Sequence, residues 1–404
     1  MRPAQLKNVT ELLSYSQGVA SVRRVFRTSE SALILLSVAI GVAAGLLTLI
    51  LSRSAHGLQR LLYGLTDETL SAASVLSPWS LLALPIGGLI LGIVTRQATK
   101  RWKAPIDVVE ANALHGGAIP LRDSLIVCGQ TLLSNGAGAS VGLEAAYGQA
   151  GGGFASIVGQ WLRLRRADMR VLVGAGAGAA IGAAFSAPLT GAFYAFEIVI
   201  GAYTPSAIAP VAAACLSAAL FVRVVGLHAY LIALPGAKAI TTVDYLIYTL
   251  LGIACAAVAI AIMRGVTWLE VHIRKLPIPD IYRPAIGGLL MIPLALITPQ
   301  ALSAGHGALH IDLGAEVALR FILLVFVVKI LASTVSLGFG FRGGLFFASL
   351  FIGSLAGQLF AGAAARIPER APRIHGRQSG YAGLACLARR KRAIARRSNR
   401  SKIF

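Results

Sequence analysis

Apolar residues fill most of the chain in blocks that are long enough to cross a membrane. Residues 33–51 are apolar or small throughout, and Arg27 and Arg53 flank them. A helix of about 20 such residues spans a hydrocarbon layer of roughly 30 Å. Further apolar stretches occupy residues 78–95, 118–135, 171–201, 205–222, 244–263, 284–299, 319–337 and 344–361. Several are short or interrupted by Gly and Pro, which predicts an all-α membrane protein whose helices tilt and break around a cavity.

A Gly-rich segment occurs twice in this apolar chain. Residues 134–151 read SNGAGASVGLEAAYGQAG, and residues 336–353 read SLGFGFRGGLFFASLFIG. A constant offset of 202 residues matches Gly142 with Gly344 and places Glu144 opposite Phe346. Two related segments of this kind indicate a transporter or channel that is built from two structural repeats.

Composition supports a membrane protein. Charged residues make up only 13% of the 404 residues, whereas an ordinary soluble domain carries about 25%. The net charge is +21, and residues 361–404 hold twelve Lys or Arg against one acid, Glu369. A basic tail can contact anionic lipid or nucleic acid. The apolar spans exclude a soluble nucleic-acid binder for the body of the chain, and no nucleic-acid partner is expected.

Basic residues predict the orientation of the spans. Arg23, Arg24 and Arg27 precede the first span, which favours a cytoplasmic N-terminus. The basic cluster 96–103 ends the second span and returns to the same side. The first apolar run starts too late and runs too long for a cleavable signal peptide. The four cysteines lack metal-ligand spacing, so no metal site is expected.

Glu144 is the first candidate for chemistry. It lies in an otherwise uncharged Gly-rich stretch, 136–153. A carboxylate at membrane depth costs about 2.5–3.5 kcal/mol or more, so it is a functional candidate by default. Gly142 just before it suggests that a helix begins here, and helix N-termini attract anions. A carboxylate at such a place can occupy an anion site and leave when it is protonated. The alternative is an interfacial Glu that pairs with a loop Arg.

Three segments resemble the CLC family of chloride channels and chloride/proton antiporters. Residues 142–146, GLEAA, resemble the family's GREGP segment. Residues 183–197, AAFSAPLTGAFYAFE, are similar to its AAFNAPLAGxxFxxE stretch. Residues 343–348, GGLFFA, resemble its GGxFxP segment. The resemblance covers roughly residues 30–365, and the three segments occur in the family's order and spacing.

The resemblance implies a fold of two inverted repeats and an anion pathway lined by helix N-termini, with Glu144 as its gate. Chloride is the implied cargo, the lipid bilayer is the surroundings, and a homodimer in a bacterial-type inner membrane is the implied assembly. No cofactor and no enzymatic activity are implied. The residues assigned to the pathway are Gly142, Leu143, Ala145, Ala146, Gly344, Leu345, Phe346, Phe347 and Ala348.

The chain departs from the family's pattern in two segments, residues 142–146 and residues 102–106. Leu143, Ala145 and Ala146 replace the family's Arg, second Gly and Pro. The family's GSGIP segment falls at residues 102–106, where Lys103 takes the place of the serine that donates to the anion. Lys103 either attracts anions or, as the favoured reading, is a loop lysine on the cytoplasmic face.

Five further residues bear on the mechanism. In the family's antiporters, a proton-transfer glutamate follows the residue that Glu197 matches, and here Ile198 occupies that place. An apolar residue cannot relay protons, so passive chloride conduction is favoured over chloride/proton exchange, with Glu197 as a secondary candidate or a cytoplasmic-side pairing residue. Lys329, inside an apolar run, either faces a pore or snorkels. His306 and His310 form a loop histidine pair rather than a metal site.

The last part of the chain breaks the repeat. The partner of 183–197 is expected near 385–399, which reads ACLARRKRAIARRSN and cannot span a membrane. The family's late tyrosine ligand is not assigned. A real basic extension, a frameshift and a shortened variant are the alternatives, and a frameshift is favoured. An alternative to anion transport is therefore that the protein is an inactive fragment that transports nothing. The expected organisation is a cytoplasmic segment 1–30, a first repeat 31–230, an incomplete second repeat 231–365 and a basic tail 366–404.

Overall fold

The computed structural model describes residues 29–65, 69–73, 76–102, 104–225, 242–309 and 318–364. Helices dominate these ranges, and their regular backbone pairing includes no strand. The main helices are α1 (Glu30–Tyr63), α2 (Ala83–Arg101), α3 (Val108–Leu114), α4 (Leu121–Gly136), α5 (Glu144–Leu162), α6 (Arg166–Ala184), α7 (Pro188–Tyr194), α8 (Pro205–Val224), α9 (Thr242–Lys275), α10 (Arg283–Ile297), α11 (Leu319–Gly338) and α12 (Phe346–Ala364). Short 3₁₀ turns lie at Leu70–Ala72, Ser80–Leu82 and Pro299–Ala301.

Seven helices in the described part of the chain are long and apolar enough to cross a membrane. They are α1, α2 with its preceding 3₁₀ turn, α6, α8, α9, α11 and α12. A helix satisfies its own backbone hydrogen bonds, which the hydrocarbon layer cannot do. The expected all-α, multi-pass membrane protein is confirmed.

The apolar run 171–201 is not one helix. α6 ends at Ala184, α7 begins at Pro188, and α7 continues as a π-helical segment, Ala195–Ile200. Proline has no N–H to donate and disfavours helical backbone in the residue before it, and Ser186 takes a left-handed conformation with φ of 45°. The break at Pro188 agrees with the expectation of interrupted helices.

Contacts divide the described chain into two compact units. The first contains residues 29–49, 105–125 and 147–225. Within it, α6 packs against α7 and α8. A Cβ on Gly151 or on Gly178 would collide with backbone of Gly176 or Gly191, respectively. Glycines therefore let these helices approach closely, as in other membrane bundles.

The second unit contains the described residues of 50–104, 126–146 and 242–364. Its α2 and α10 cross at a pair of glycines. A Cβ on Gly88 would collide with the carbonyl of Pro284, and a Cβ on Gly288 would collide with the carbonyl of Leu84. The crossing is reciprocal, and residues 84–91 (LPIGGLIL) resemble 284–291 (PAIGGLLM) at an offset of 200. This second trace of the repeat was visible in the sequence and was missed.

The Gly288→Ala variant tests this crossing. The added methyl group meets the Leu84 carbonyl, so we expect a loss of stability of about 1–3 kcal/mol, as for other overpacked contacts. Thermal unfolding of the purified protein in detergent measures it. Gly57→Ala is the matched control, because a Cβ there meets nothing within 4 Å and helix propensity favours alanine. Equal melting temperatures for the two variants would contradict the crossing.

Candidate functional site

The 202-residue offset relates backbone conformation as well as sequence. α4 ends at Gly136 and α11 at Gly338, while α5 begins at Glu144 and α12 at Phe346. The connecting segments, 137–143 and 339–345, therefore have equal length. Each contains a glycine at the same place with positive φ, 90° at Gly138 and 97° at Gly340. Such a left-handed turn is costly for other residues.

The two connecting segments pair with each other in antiparallel fashion. The N–H of Gly142 donates to the Gly344 carbonyl at 2.8 Å, and the N–H of Gly344 donates to the Gly142 carbonyl at 3.0 Å. All of these residues belong to the second unit. The reciprocal bridge therefore places the starts of α5 and α12 side by side.

Two serines repeat the same reciprocity. Ser336 Oγ accepts from the N–H of Ser140, and Ser134 Oγ accepts from the N–H of Arg342, both at 3.0 Å. Shifting the first contact by 202 residues gives the second. The two segments are thus related by a local two-fold axis, as the inverted repeat predicts.

The Glu144 carboxylate lies at the N-terminus of α12. It is 6% exposed, and its Oε1 accepts a hydrogen bond of 2.6 Å from the backbone N–H of Phe347, the second residue of that helix. Unpaired N–H groups and the helix dipole give a helix N-terminus a partial positive charge. The carboxylate therefore occupies a site that suits an anion.

Gly142 and Gly344 make room for this carboxylate. A Cβ on either glycine would collide with the carboxylate of Glu144. The same two glycines form the backbone bridge. The structure thus brings Gly142, Glu144, Gly344 and Phe347 together.

The remaining pathway candidates differ in how deeply they are buried. Leu143, Ala146 and Ala348 are buried, and Ala145 and Phe346 are half-buried. Leu345 packs against the apolar cluster of α9 and α12. Glu144 accepts from the backbone N–H of Phe347, the residue after its partner by offset, Phe346. A role for these residues in conduction stays a prediction.

His306 is a neighbour of the site that the sequence did not indicate. Its ring stacks on the Phe347 ring, with centroids 3.5 Å apart and an interplanar angle of 24°. Residues 306–309 form a helical turn rather than the expected loop, and His310 lies outside the described residues. In the described part of the chain, no cluster of His, Cys, Asp and Glu is suited to a metal.

Lys329 is placed in neither of the two ways the sequence suggested. Its side chain on α11 is fully buried, so it does not snorkel. Its Nζ donates to the carbonyls of Ala301, Leu302 and Ser303 at 3.2, 3.4 and 2.7 Å. The Phe351 ring lies 5.9 Å from the ammonium. Three carbonyls and an aromatic face thus replace water around the buried charge.

The segment that Lys329 holds connects to the anion site. Ser303 Oγ accepts from the side-chain amides of Gln59 and Asn135, at 3.1 and 3.3 Å. Asn135 also donates to the carbonyl of Val141 at 2.7 Å, one residue before Gly142. A buried polar network therefore runs from α11 to the turn that precedes Glu144.

Glu197 and Lys103 are not part of this arrangement as described. Glu197 belongs to the first unit, lies on the π-helical segment after α7, and accepts a 2.7 Å hydrogen bond from the Tyr203 hydroxyl. Lys103 lies outside the described residues. The roles of both stay predictions.

The Lys329→Met variant tests the network. Three buried carbonyls lose their donor, and a buried polar group left without its partner costs about 1–3 kcal/mol. We expect a lower melting temperature in detergent. Arg223→Met is the control, because Arg223 is exposed near the end of α8 and surface changes cost within about 0.5 kcal/mol. Unchanged melting of Lys329→Met would show that the ammonium does not stabilise this segment.

Known proteins with similar sequences are named as chloride channels. A chloride channel protein of the ClcB-like type from Ralstonia nicotianae is 30% identical over 341 residues, which cover 82% of this chain and 80% of the relative. The voltage-gated ClC-type chloride channel ClcB of Escherichia coli is 28% identical over 304 residues, 73% of this chain and 72% of that protein.

Solved structures share the fold. A slow cyanobacterial Cl⁻/H⁺ antiporter matches with a TM-score of 0.73 and 22% identity, over 88% of this chain and 84% of that one. A CLC-type fluoride/proton antiporter matches with a TM-score of 0.68 and 22% identity, over 89% of this chain and 94% of the other. The family model described as voltage gated chloride channel matches residues 87–388. The chain belongs to the voltage-gated chloride channel (CLC) family.

Proposed function

We propose that this protein is a chloride channel that conducts chloride passively and that Glu144 gates it. The family transports anions across membranes. The observation that carries the proposal is the Glu144 carboxylate, which accepts from the N–H of Phe347 at the start of α12. The carboxylate and a chloride ion compete for the same positive helix end, so conduction requires the carboxylate to leave.

Protonation is one way to release the gate. A charged acceptor makes a hydrogen bond roughly twice as strong as a neutral one, so a protonated Glu144 binds the helix end less tightly. Chloride at high concentration competes in the same way. The pathway in this proposal is completed by the backbone N–H groups of residues 142–146 and 344–348, with Phe346 and Phe347 shaping the site.

Chloride/proton exchange is the second candidate. The two solved structures that share this fold are titled as antiporters, and an antiporter needs titratable groups spaced through the membrane. Ile198 after Glu197 supports the channel instead, because its side chain carries no proton. Glu197 itself would be the inner proton carrier of an exchanger.

We also propose an inner-membrane location with a cytoplasmic N-terminus and a homodimeric assembly. The last turns of α2 and α9 carry Lys100 and Arg101, and Arg274 and Lys275, respectively. Basic residues collect on the cytoplasmic side. The antiparallel crossing of α2 and α10 brings Ile281 beside Gly92, which places both basic ends on the same side. Cross-linking of the reconstituted protein tests the dimer.

The Glu144→Gln variant tests the gate. Chloride efflux from proteoliposomes is measured at pH 4.5 and 7.5. Wild-type flux should rise as the pH falls, because protonation releases the carboxylate. A charged hydrogen bond of about 1.5–3 kcal/mol sets the size of the effect, so the variant should conduct of order tenfold faster at pH 7.5 and lose its pH dependence.

Glu110→Gln is the matched control, because Glu110 is exposed at the start of α3 in the first unit. It should keep the wild-type pH dependence. If Glu144→Gln also keeps it, Glu144 is not the gate.

Proton movement separates the two candidate functions. Vesicles that contain a pH-sensitive dye are given a chloride gradient with the membrane voltage clamped by potassium and valinomycin. A channel should move chloride without a coupled proton flux. Steady proton movement against the chloride flow, abolished by the Glu197→Gln variant, would replace the channel with an exchanger.

A further inference from the structure

A cavity of about 530 Å³ lies within the second unit. Its walls are the last turns of α2, the end of α9, the start of α10 and the end of α11. Three arginines line it: Arg96 from α2, Arg274 from α9 and Arg283 from α10. The channel proposal assigns no role to this cavity.

The arginines leave positive charge in the cavity. Arg274 pairs with Glu270 at 2.6 Å, and Arg283 pairs with Asp280 at 2.5 Å. Both acids also line the cavity and are therefore neutralised. Arg96 is exposed and has no ion pair in the described part of the chain. Arg283 keeps an unused donor, because its buried Nε has no acceptor among the described residues.

The cavity lies at the level where lipid headgroups meet the protein. Arg96, Lys100 and Arg101 end α2, so the hydrocarbon core ends before them. Two exposed aromatic residues are close in sequence to residues that line the cavity: Trp268 on α9 and Tyr282 before α10, which are 61% and 52% exposed. Exposed Trp and Tyr concentrate at membrane–water interfaces.

We propose that this cavity binds the phosphate headgroup of an anionic phospholipid. Guanidinium groups bind phosphate oxygens through paired, charge-assisted hydrogen bonds, and basic pockets between membrane helices suit such headgroups. Arg96 supplies the uncompensated charge, and Arg283 supplies the further donor. The assignment to the cytoplasmic leaflet rests on the proposed orientation, whereas the site itself does not.

Hydrogen bonds connect the cavity with the anion site. Thr95 lines the cavity, and its hydroxyl accepts from the Gln130 side chain at 3.0 Å. Arg342 donates from its side chain to the other end of the Gln130 amide at 3.0 Å. Arg342 lies two residues before Gly344, which pairs with Gly142. These contacts join the cavity to the segment that carries Gly344, so a bound headgroup should change chloride flux.

Lipid retention by the purified full chain is the direct test. Native mass spectrometry in detergent is used to measure bound phosphatidylglycerol, with phosphatidylcholine as the neutral comparison. The wild type should retain phosphatidylglycerol selectively. Arg96→Gln should retain about fivefold less, the effect of one basic group at a membrane surface, and Arg96→Lys should be intermediate because lysine cannot form the paired contact. Arg96 has no ion pair in the described residues, so neither variant should change the melting temperature.

Arg101→Gln is the matched control, since Arg101 ends the same helix and does not line the cavity. Equal loss of lipid in Arg101→Gln and Arg96→Gln would reduce the effect to general surface charge and overturn the site. Retention of inorganic phosphate at millimolar concentration, without retention of phosphatidylglycerol, would assign the cavity to a free anion and overturn the lipid.

Flux provides a separate readout. Proteoliposomes with and without phosphatidylglycerol should differ several-fold in chloride flux for the wild type and not for Arg96→Gln. Absence of chloride flux in every vesicle, together with selective lipid retention in detergent, would overturn the channel and leave the lipid site. Flux that ignores phosphatidylglycerol despite its selective retention would overturn the coupling to Glu144.

Discussion

The reciprocal backbone pairing of Gly142 with Gly344 is the interaction on which the rest of the site depends. It ties two helix starts together that are about 200 residues apart in sequence, and it leaves room for a carboxylate between them because neither position has a side chain. The Ser134 and Ser336 hydroxyls hold the flanking backbone from the opposite repeat. Without this pairing, Glu144 would have no helix end from the other repeat to bind.

Much of this fold was predictable, because membrane helices and repeats leave strong signals in sequence. Hydropathy identifies the apolar spans, and the glycine spacing identifies the 202-residue offset. Glu144 stands out because it is the one charged residue in an otherwise uncharged stretch. The offset pairs equivalent positions, however, and equivalence is not contact. A two-fold axis brings residue 144 next to the start of the other helix, where its carboxylate accepts from the backbone N–H of Phe347. Stacking of His306 on Phe347 has no periodic signal at all.

Lys329 shows a second limit of pattern reasoning. A charged base inside an apolar helix is energetically costly. Sequence reasoning therefore expects its side chain to reach water, either in a pore or at the membrane surface. In the structure, the carbonyls of residues 301–303 bind the Lys329 ammonium instead. A 3₁₀ turn and the left-handed backbone of Ser303 orient these carbonyls toward it. Every residue has a backbone carbonyl, so the sequence does not indicate which carbonyls bind a buried lysine. The same argument explains why the network from Gln59 through Asn135 was not foreseen.

The local symmetry also bears on the proposal that one carboxylate serves as a gate. By the 202-residue shift, the symmetric counterpart of the contact between Glu144 and Phe347 would join Phe346 to Ala145, the second residue of α5. Phe346 has no acceptor to offer to N–H groups there, so the two equivalent helix ends differ in chemistry although their backbones match. In the proposed channel, α12 binds the carboxylate of the protein while α5 remains available to a mobile anion. In that proposal, a symmetric backbone with asymmetric side chains forms one switchable site rather than two identical ones.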